Sequence, residues 1–133
     1  MPLLIPYLSA LAVFFLADMV WLGTMSSRFY KPILGNILLP GPALLPALAF
    51  YLLYPLGLVI FAINPALRTG SLTHAALLGA GFGLFTYGTY DLTNQATLRN
   101  WTTGLTLIDM AWGGVLGALT ATFAFWLTRR LAG

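Results

Sequence analysis

The sequence contains no cysteine and no glutamate, and it has a single histidine, His74. Disulfides, thiolate metal sites and thiol catalysis are therefore excluded, and a zinc site lacks its usual His and Cys ligands. Charge is scarce as well. Only 7% of the 133 residues are charged and 59% are hydrophobic, whereas a soluble domain has about 25% charged residues. This composition excludes an ordinary soluble domain and a disordered chain.

The net charge of +3 comes from only six Lys and Arg residues against three Asp. The six are scattered along the chain and form no basic stripe, so we expect no nucleic-acid partner. The remaining class is a small polytopic membrane protein whose surroundings are the lipid bilayer.

Four apolar runs of about 20 residues, the length that crosses a bilayer, cover most of the chain. They are residues 2–23, 43–63, 72–94 and 105–127. The first run lacks the basic residues that precede the apolar stretch of a signal peptide, so we expect it to be a retained span. Because the connections are short, neighbouring helices are expected to be antiparallel. The sequence therefore predicts an all-α, integral membrane four-helix transmembrane bundle, forming a single domain over residues 1–133.

The six basic residues divide evenly between the two ends of this predicted bundle. With the termini lie Arg68, Arg129 and Arg130, and at the opposite end lie Arg28, Lys31 and Arg99. The Arg129–Arg130 pair adjoins the last span and favours a cytoplasmic location for both termini.

The connection between the first two spans carries one apolar stripe at helical spacing, formed by Tyr30, Ile33, Leu34, Ile37 and Leu38. Pro32 suits a first helical position and Pro40 suits a stop. These features predict a short interfacial helix between spans 1 and 2. We favour a membrane-surface anchor over an active-site lid as its role.

Prolines and glycines indicate how the predicted helices pack. Pro46 and Pro55 lie in the second span, where each removes a backbone hydrogen bond and can kink the helix. Pairs of glycines at GxxxG spacing occur in the third and fourth spans: Gly79, Gly83, Gly113 and Gly117. Such small residues let helix backbones approach closely, so we interpret them as helix-packing positions.

The acidic residues are the most informative feature of the sequence. Asp18, Asp91 and Asp109 all lie within predicted spans. With alternating helix directions, all three fall at one membrane level, near the face opposite the termini. A charged side chain at this depth costs several kcal/mol unless it is paired or solvated, so such residues face the interior. The three aspartates therefore predict a shared polar pocket.

Each aspartate also has a structural interpretation. Asp109 follows Thr106 by three residues, which resembles a capping box. Asp18 and Asp91 approach predicted helix C-termini, where the helix dipole disfavours an anion. A bound cation could offset that cost, and so could ion pairs with basic residues of the nearby loops: Arg28, Lys31 and Arg99.

Polar and aromatic residues accompany the aspartates. Tyr87 and Asn94 share a helical face with Asp91 and are candidate pocket residues. The pattern Asp-Met-x-Trp-x-Gly occurs at residues 18–23 and again at residues 109–114, so Trp21 and Trp112 each lie one turn from an aspartate. An inverted repeat is one explanation for this pattern, and similar packing at similar depth is another. We interpret the tryptophans as interface anchors in preference to ligand-stacking groups.

One long stretch carries a family resemblance. The run GLFTYGTYDLTN at residues 83–94, with Ala96-Thr97-Leu98, Trp101 and the run LIDMAWG at 107–113, resembles a family of bacterial membrane proteins filed as domain of unknown function 2177. The resemblance covers nearly the whole chain. It implies a multi-pass protein of the bacterial cytoplasmic (inner) membrane, and it brings no activity, cofactor or catalytic residue.

Three functions remain open at this point. The aspartates and aromatic residues favour a protein that binds a small molecule or a lipid, or a proton- or cation-coupled transporter. Because four short helices enclose little volume, a transporter is expected to be a homodimer. The second hypothesis is an enzyme acting on lipids, with Asp91 or Asp109 as general base or metal ligand. The third is a non-catalytic subunit or assembly factor. No ligand spacing specifies a metal, and no cofactor is indicated.

Overall fold

The computed structural model describes residues 3–132. Within that range the chain is helical and contains no strand, which confirms the all-α membrane bundle. Three helical stretches are long and apolar enough to cross a membrane: Leu4–Ile37, Leu44–Thr69 and Thr103–Ala132. The helix at the third predicted span, α5 (Leu72–Thr97), has 26 residues. It is not among these three because its second half carries the polar residues of the run at 83–94.

The first helical stretch runs further than the sequence predicts. α1 (Leu4–Met25) continues through a π-helical turn at Ser26–Tyr30 into α2 (Lys31–Leu34) and a 3-10 turn at Gly35–Ile37. The expected break after residue 23 is absent because the widened turn carries the helix onward. Helix α2 begins with Pro32 in its first turn, as predicted. The predicted interfacial helix is therefore the end of the first stretch and not a separate element.

The second helical stretch is interrupted at one proline only. α3 (Leu44–Leu58) leads through a π-helical turn at Val59–Ile63 into α4 (Asn64–Thr69). Pro46 lies in the first turn of α3, where a backbone N–H has no helical partner, so its predicted kink was wrong. Pro55 lies inside α3 and removes an internal hydrogen bond just before the π-helical turn.

Helices α5 and α6 (Thr103–Ala132) form the most extensive contact of the bundle. A Cβ atom at Gly83 would lie 1.8 Å from the carbonyl oxygen of Gly113. One at Gly79 would lie 2.3 Å from that of Gly117. Gly79, Gly83 and Gly117 therefore face the backbone of the partner helix, and their missing side chains allow the two backbones to touch. At Gly113 a Cβ atom would instead lie 2.3 Å from the Tyr87 ring. Helix α1 also packs against α6.

The two ends of the bundle differ in how they are filled. Toward the end that carries the α4–α5 connection, small and branched residues form a closed core that includes Ala10, Leu58, Ile63 and Ala124. The α4–α5 connection turns at Gly70, which adopts a left-handed conformation (φ 69°), and Ser71 caps α5. The opposite end is occupied by polar and aromatic side chains.

Candidate functional site

A cavity of about 580 Å³ lies among the ends of α1, α3, α5 and α6, with the turn after α1 as a further wall. Its lining includes two carboxyl groups, those of Asp18 and Asp109. Six aromatic side chains with a polar atom also line it: Tyr30, Tyr54, Tyr87, Tyr90, Trp101 and Trp112. None of the lining residues is Lys, Arg or His. The cavity is therefore acidic and aromatic, with a volume that suits a small-molecule ligand.

Asp18 connects three helices through its carboxyl group. It projects from α1 and is 5% exposed. The Tyr51 hydroxyl of α3 donates to one oxygen at 2.5 Å, and the Trp112 indole N–H of α6 donates to the other at 3.2 Å. These two donors meet the requirement that a buried polar group be hydrogen-bonded.

Asp109 has a corresponding arrangement across the cavity. It projects from α6 and is 7% exposed. The Tyr30 hydroxyl donates to its carboxyl oxygen, and the Trp21 indole N–H donates to the Tyr30 oxygen at 2.9 Å. The widened turn at Ser26–Tyr30 thus brings a tyrosine over the cavity.

The two copies of the Asp-Met-x-Trp-x-Gly pattern meet in space. The rings of Trp21 and Trp112 stack with centroids 4.5 Å apart and planes within 4° of parallel. Each tryptophan serves the aspartate of the other copy, Trp112 directly and Trp21 through Tyr30. The stacked indoles thus link the two copies of the pattern.

Asp91 lies behind the cavity wall. Its side chain is 0% exposed. Apart from Asp109, no side chain and no backbone group in residues 3–132 donates a hydrogen bond to either carboxyl oxygen. Its neighbour is the carboxyl group of Asp109, within hydrogen-bonding reach. Over the same residues, no group of three His, Cys, Asp or Glu side chains is arranged to hold a metal ion. The acids therefore form a pair, Asp91 and Asp109, and a separate group, Asp18.

Comparison with known proteins is consistent with this architecture. A family described as predicted membrane protein, domain of unknown function 2177, matches residues 3–126. The chain belongs to that family. No curated protein and no solved structure matches the chain. The family assignment supports a membrane location for the chain and specifies no chemical activity.

Several structural interpretations of the aspartates do not hold. Helix α6 begins at Thr103 and is capped by the Thr102 hydroxyl, which accepts from the Leu105 N–H at 3.0 Å. Asp109 lies beyond the first turn of α6, so the capping-box interpretation was wrong. Asp18 and Asp91 are each at least six residues from the ends of α1 and α5. The helix dipole therefore places no C-terminal penalty on them, because its effect falls off within the last turn.

The three basic residues considered as ion-pair candidates for the aspartates make no hydrogen bond to Asp18 or Asp109 in residues 3–132. Arg28, Lys31 and Arg99 are exposed, and the hydrogen bonds of Asp18 and Asp109 come from tyrosine and tryptophan instead. Trp21 and Trp112 are half-buried, and their rings stack on each other.

The remaining candidates divide between the cavity and its surroundings. Tyr87 lines the cavity, whereas Asn94 is half-buried beside Tyr90 and does not. The segment expected to be a surface anchor also lines the cavity, through Tyr30, Leu34 and Leu38.

Sequence reasoning missed most of the tyrosines. Tyr51 and Tyr54 lie one turn apart on α3, and the Tyr54 hydroxyl is 2.8 Å from that of Thr86 on α5. Tyr90, which precedes the buried Asp91 in the chain, also lines the cavity. The available signal was the spacing of Tyr51 and Tyr54 within an otherwise apolar span, which placed two hydroxyl groups on one face.

Proposed function

We propose that this membrane protein binds a small organic cation with apolar substituents in the cavity at the acidic end of the bundle. The observation that carries the proposal is the lining: two buried carboxyl groups, six polar aromatic side chains and no basic group. Ion pairs with basic residues would have made the acids structural. Their absence from the cavity leaves the carboxyl groups available to a positively charged ligand.

The aromatic walls suit the same ligand. The faces of Trp and Tyr rings attract an ammonium or guanidinium group within about 6 Å, with gains of about 2 kcal/mol when the site is desolvated. Trp112 and Tyr87 lie on α6 and α5, so they bound the cavity from two helices. Leu22, Leu34 and Leu38 supply apolar surface for the remainder of the ligand.

A pair of ligands of equal shape tests the proposal. Benzyltrimethylammonium carries a fixed positive charge, and neopentylbenzene is its neutral counterpart. We expect calorimetric titration of the detergent-solubilised protein to give one binding site for the cation. The neutral compound should bind at least about tenfold more weakly, which corresponds to about 1.4 kcal/mol.

The aspartates provide the matched variants. Asp18→Asn and Asp109→Asn should each weaken binding of the cation and leave binding of neopentylbenzene little changed, because only the charge term is removed. Equal affinities for the two ligands in the wild-type protein would refute the proposal. So would an unchanged affinity for the cation in both variants, provided that their circular dichroism spectra match that of the wild type.

We also infer that both termini face the cytoplasm, so that the cavity lies near the outer face of the bacterial inner membrane. The Arg129 guanidinium donates to the Gly70 carbonyl at 3.2 Å, which supports a common end for the α4–α5 connection and the end of α6. The Asn100 amide donates to the Leu34 carbonyl at 3.2 Å and joins the other two connections at the cavity end. The adjacent Arg129 and Arg130 favour a cytoplasmic location for the end that carries the α4–α5 connection and the end of α6.

A further inference from the structure

The fully buried Asp91 has no part in the proposed binding site, although its burial calls for an explanation. A carboxyl group without a hydrogen-bond donor is costly in a protein interior, and more so in a membrane. Apart from Asp109, no side chain and no backbone group of the described residues donates a hydrogen bond to Asp91. The group in contact with it is the carboxyl of Asp109, which itself lines the cavity.

Two adjacent carboxyl groups are stable in a buried site when they share one proton, because like charges so close together cannot both be present. A proton between Asp91 and Asp109 would give Asp91 its missing hydrogen bond. The Tyr30 hydroxyl also donates a hydrogen bond to Asp109. Asp109 is therefore the member of the pair that connects Asp91 with the cavity.

No positive charge surrounds this pair. The titratable groups that face it come from α1, the turn after it, and α5: Asp18, Tyr30, Tyr87 and Tyr90. No Lys, Arg or His in residues 3–132 is among these neighbours, and none lines the cavity. A proton or a bound cation is therefore the available source of positive charge for the two carboxyl groups.

We propose that the Asp91–Asp109 pair holds one proton and releases it when an organic cation enters the cavity. The inference rests on the proposed cation-binding function and makes binding an exchange of one cation for one proton. On binding, the carboxyl O–H bond breaks and its electron pair stays on the oxygen. The proton leaves through Asp109 to water in the cavity. One positive charge enters and one leaves, so the buried site keeps its net charge.

Calorimetry in two buffers tests this exchange. Benzyltrimethylammonium has no titratable group, so any proton released on binding comes from the protein. We expect the apparent binding enthalpy to differ between phosphate and a zwitterionic buffer of higher ionisation enthalpy at the same pH, in proportion to about one proton per bound ligand. The Kd should also fall by about tenfold for each unit of pH increase over the range in which the pair is protonated.

Variants identify the source of the proton. Asp91→Asn should bind the cation with little or no proton release and with an affinity that no longer depends on pH. Thr120→Ala is the control, because Thr120 is a buried polar residue of α6 outside the cavity lining, and its hydroxyl has no hydrogen-bond partner within residues 3–132. This control should release the same proton as the wild type.

The outcomes separate this inference from the proposed function. Binding by the wild type without any buffer dependence would overturn the proton exchange and leave cation binding in place. Failure of the wild type to bind would overturn both. Proton release that persists in a folded Asp91→Asn protein would overturn the assignment to this pair. If Asp91→Asn does not fold, the wild-type buffer dependence alone decides whether a proton is exchanged.

Discussion

The hydrogen bonds of a single residue, Asp18, hold three helices together. Its carboxyl group accepts a hydrogen bond from Tyr51 of α3 and another from Trp112 of α6. Each hydrogen bond to a charged group contributes about 1.5–3 kcal/mol, and loss of one partner leaves the other buried and unsatisfied. The residues proposed to bind a ligand therefore also stabilise the bundle, so their substitution needs a control for folding.

Trp112 separates the stabilising hydrogen bond from ring packing. Trp112→Phe keeps an aromatic ring against Trp21 and removes the indole N–H that donates to Asp18. We expect the free energy of unfolding to fall by about 1–3 kcal/mol. Trp126→Phe is the matched control on the same helix, because Trp126 is 49% exposed. A loss in the control as large as that in Trp112→Phe, measured by detergent-denaturant titration, would contradict the account.

At this scale the sequence predicts the acids better than it predicts their partners. Asp18 and Asp109 could be located because a carboxyl group at membrane depth must face the interior. Tyr51 and Tyr30 could not be assigned to them, since each bond joins residues 33 or 79 positions apart. That pairing depends on how the helices are arranged around one another.

At the scale of the helices, the glycine interface between α5 and α6 keeps the less apolar helix in the bundle. The polar run at residues 83–94 makes α5 a weaker span on its own. Its glycines let it pack against α6 at backbone distance, and this contact buries Asp91 and brings Tyr87 to the cavity. Close packing of this kind is one of the sources of attraction between helices in lipid.

A substitution at the centre of this interface tests its role. In Gly83→Ala the new methyl group would lie 1.8 Å from the Gly113 carbonyl oxygen, so the helices must separate. We expect a loss of about 1–3 kcal/mol in the free energy of unfolding, because α5 must shift to make room for the methyl group. Gly81→Ala is the control on the same helix, because a Cβ there has no neighbour within 4 Å.

The control should be neutral, or more stable by up to about 1 kcal/mol, because alanine favours helix formation over glycine. Equal stabilities of the two variants would contradict a packed glycine interface. Thermal unfolding in the same detergent provides the comparison.

The sequence predicts where the long helices lie, but it does not predict the π-helical turns that interrupt two of them. Apolar length predicts the long helices, and GxxxG spacing indicates the α5–α6 contact. The π-helical turns at Ser26–Tyr30 and Val59–Ile63 have no distinct sequence pattern, because a single widened turn changes the register of a helix without ending it. The first of these turns brings Tyr30 to Asp109, so the segment predicted to be a surface anchor also forms part of the cavity wall.

For the whole molecule, the two ends have different roles: one is a closed apolar core, and the other holds the acidic cavity. The absence of cysteine allows a direct test of orientation. Ser27→Cys would place a single exposed thiol at the cavity end, and Ala132→Cys would place one at the opposite end.

A membrane-impermeant maleimide applied to intact spheroplasts should label the Ser27→Cys protein, and it should label Ala132→Cys only after lysis. The expectation follows from the arginine pair that ends α6. The reverse pattern would place the cavity on the cytoplasmic side and contradict the inferred orientation.

The most direct test of cation binding in the cavity is an NMR measurement of contacts between ligand and protein. Intermolecular NOEs would be recorded from the trimethylammonium protons of benzyltrimethylammonium to the four tryptophan rings in the micelle-bound protein. We expect NOEs to Trp112, which lines the cavity, and none to the outward-facing Trp126. NOEs to Trp126 without any to Trp112 would mean that the cation binds at the lipid-facing surface, and would contradict the account.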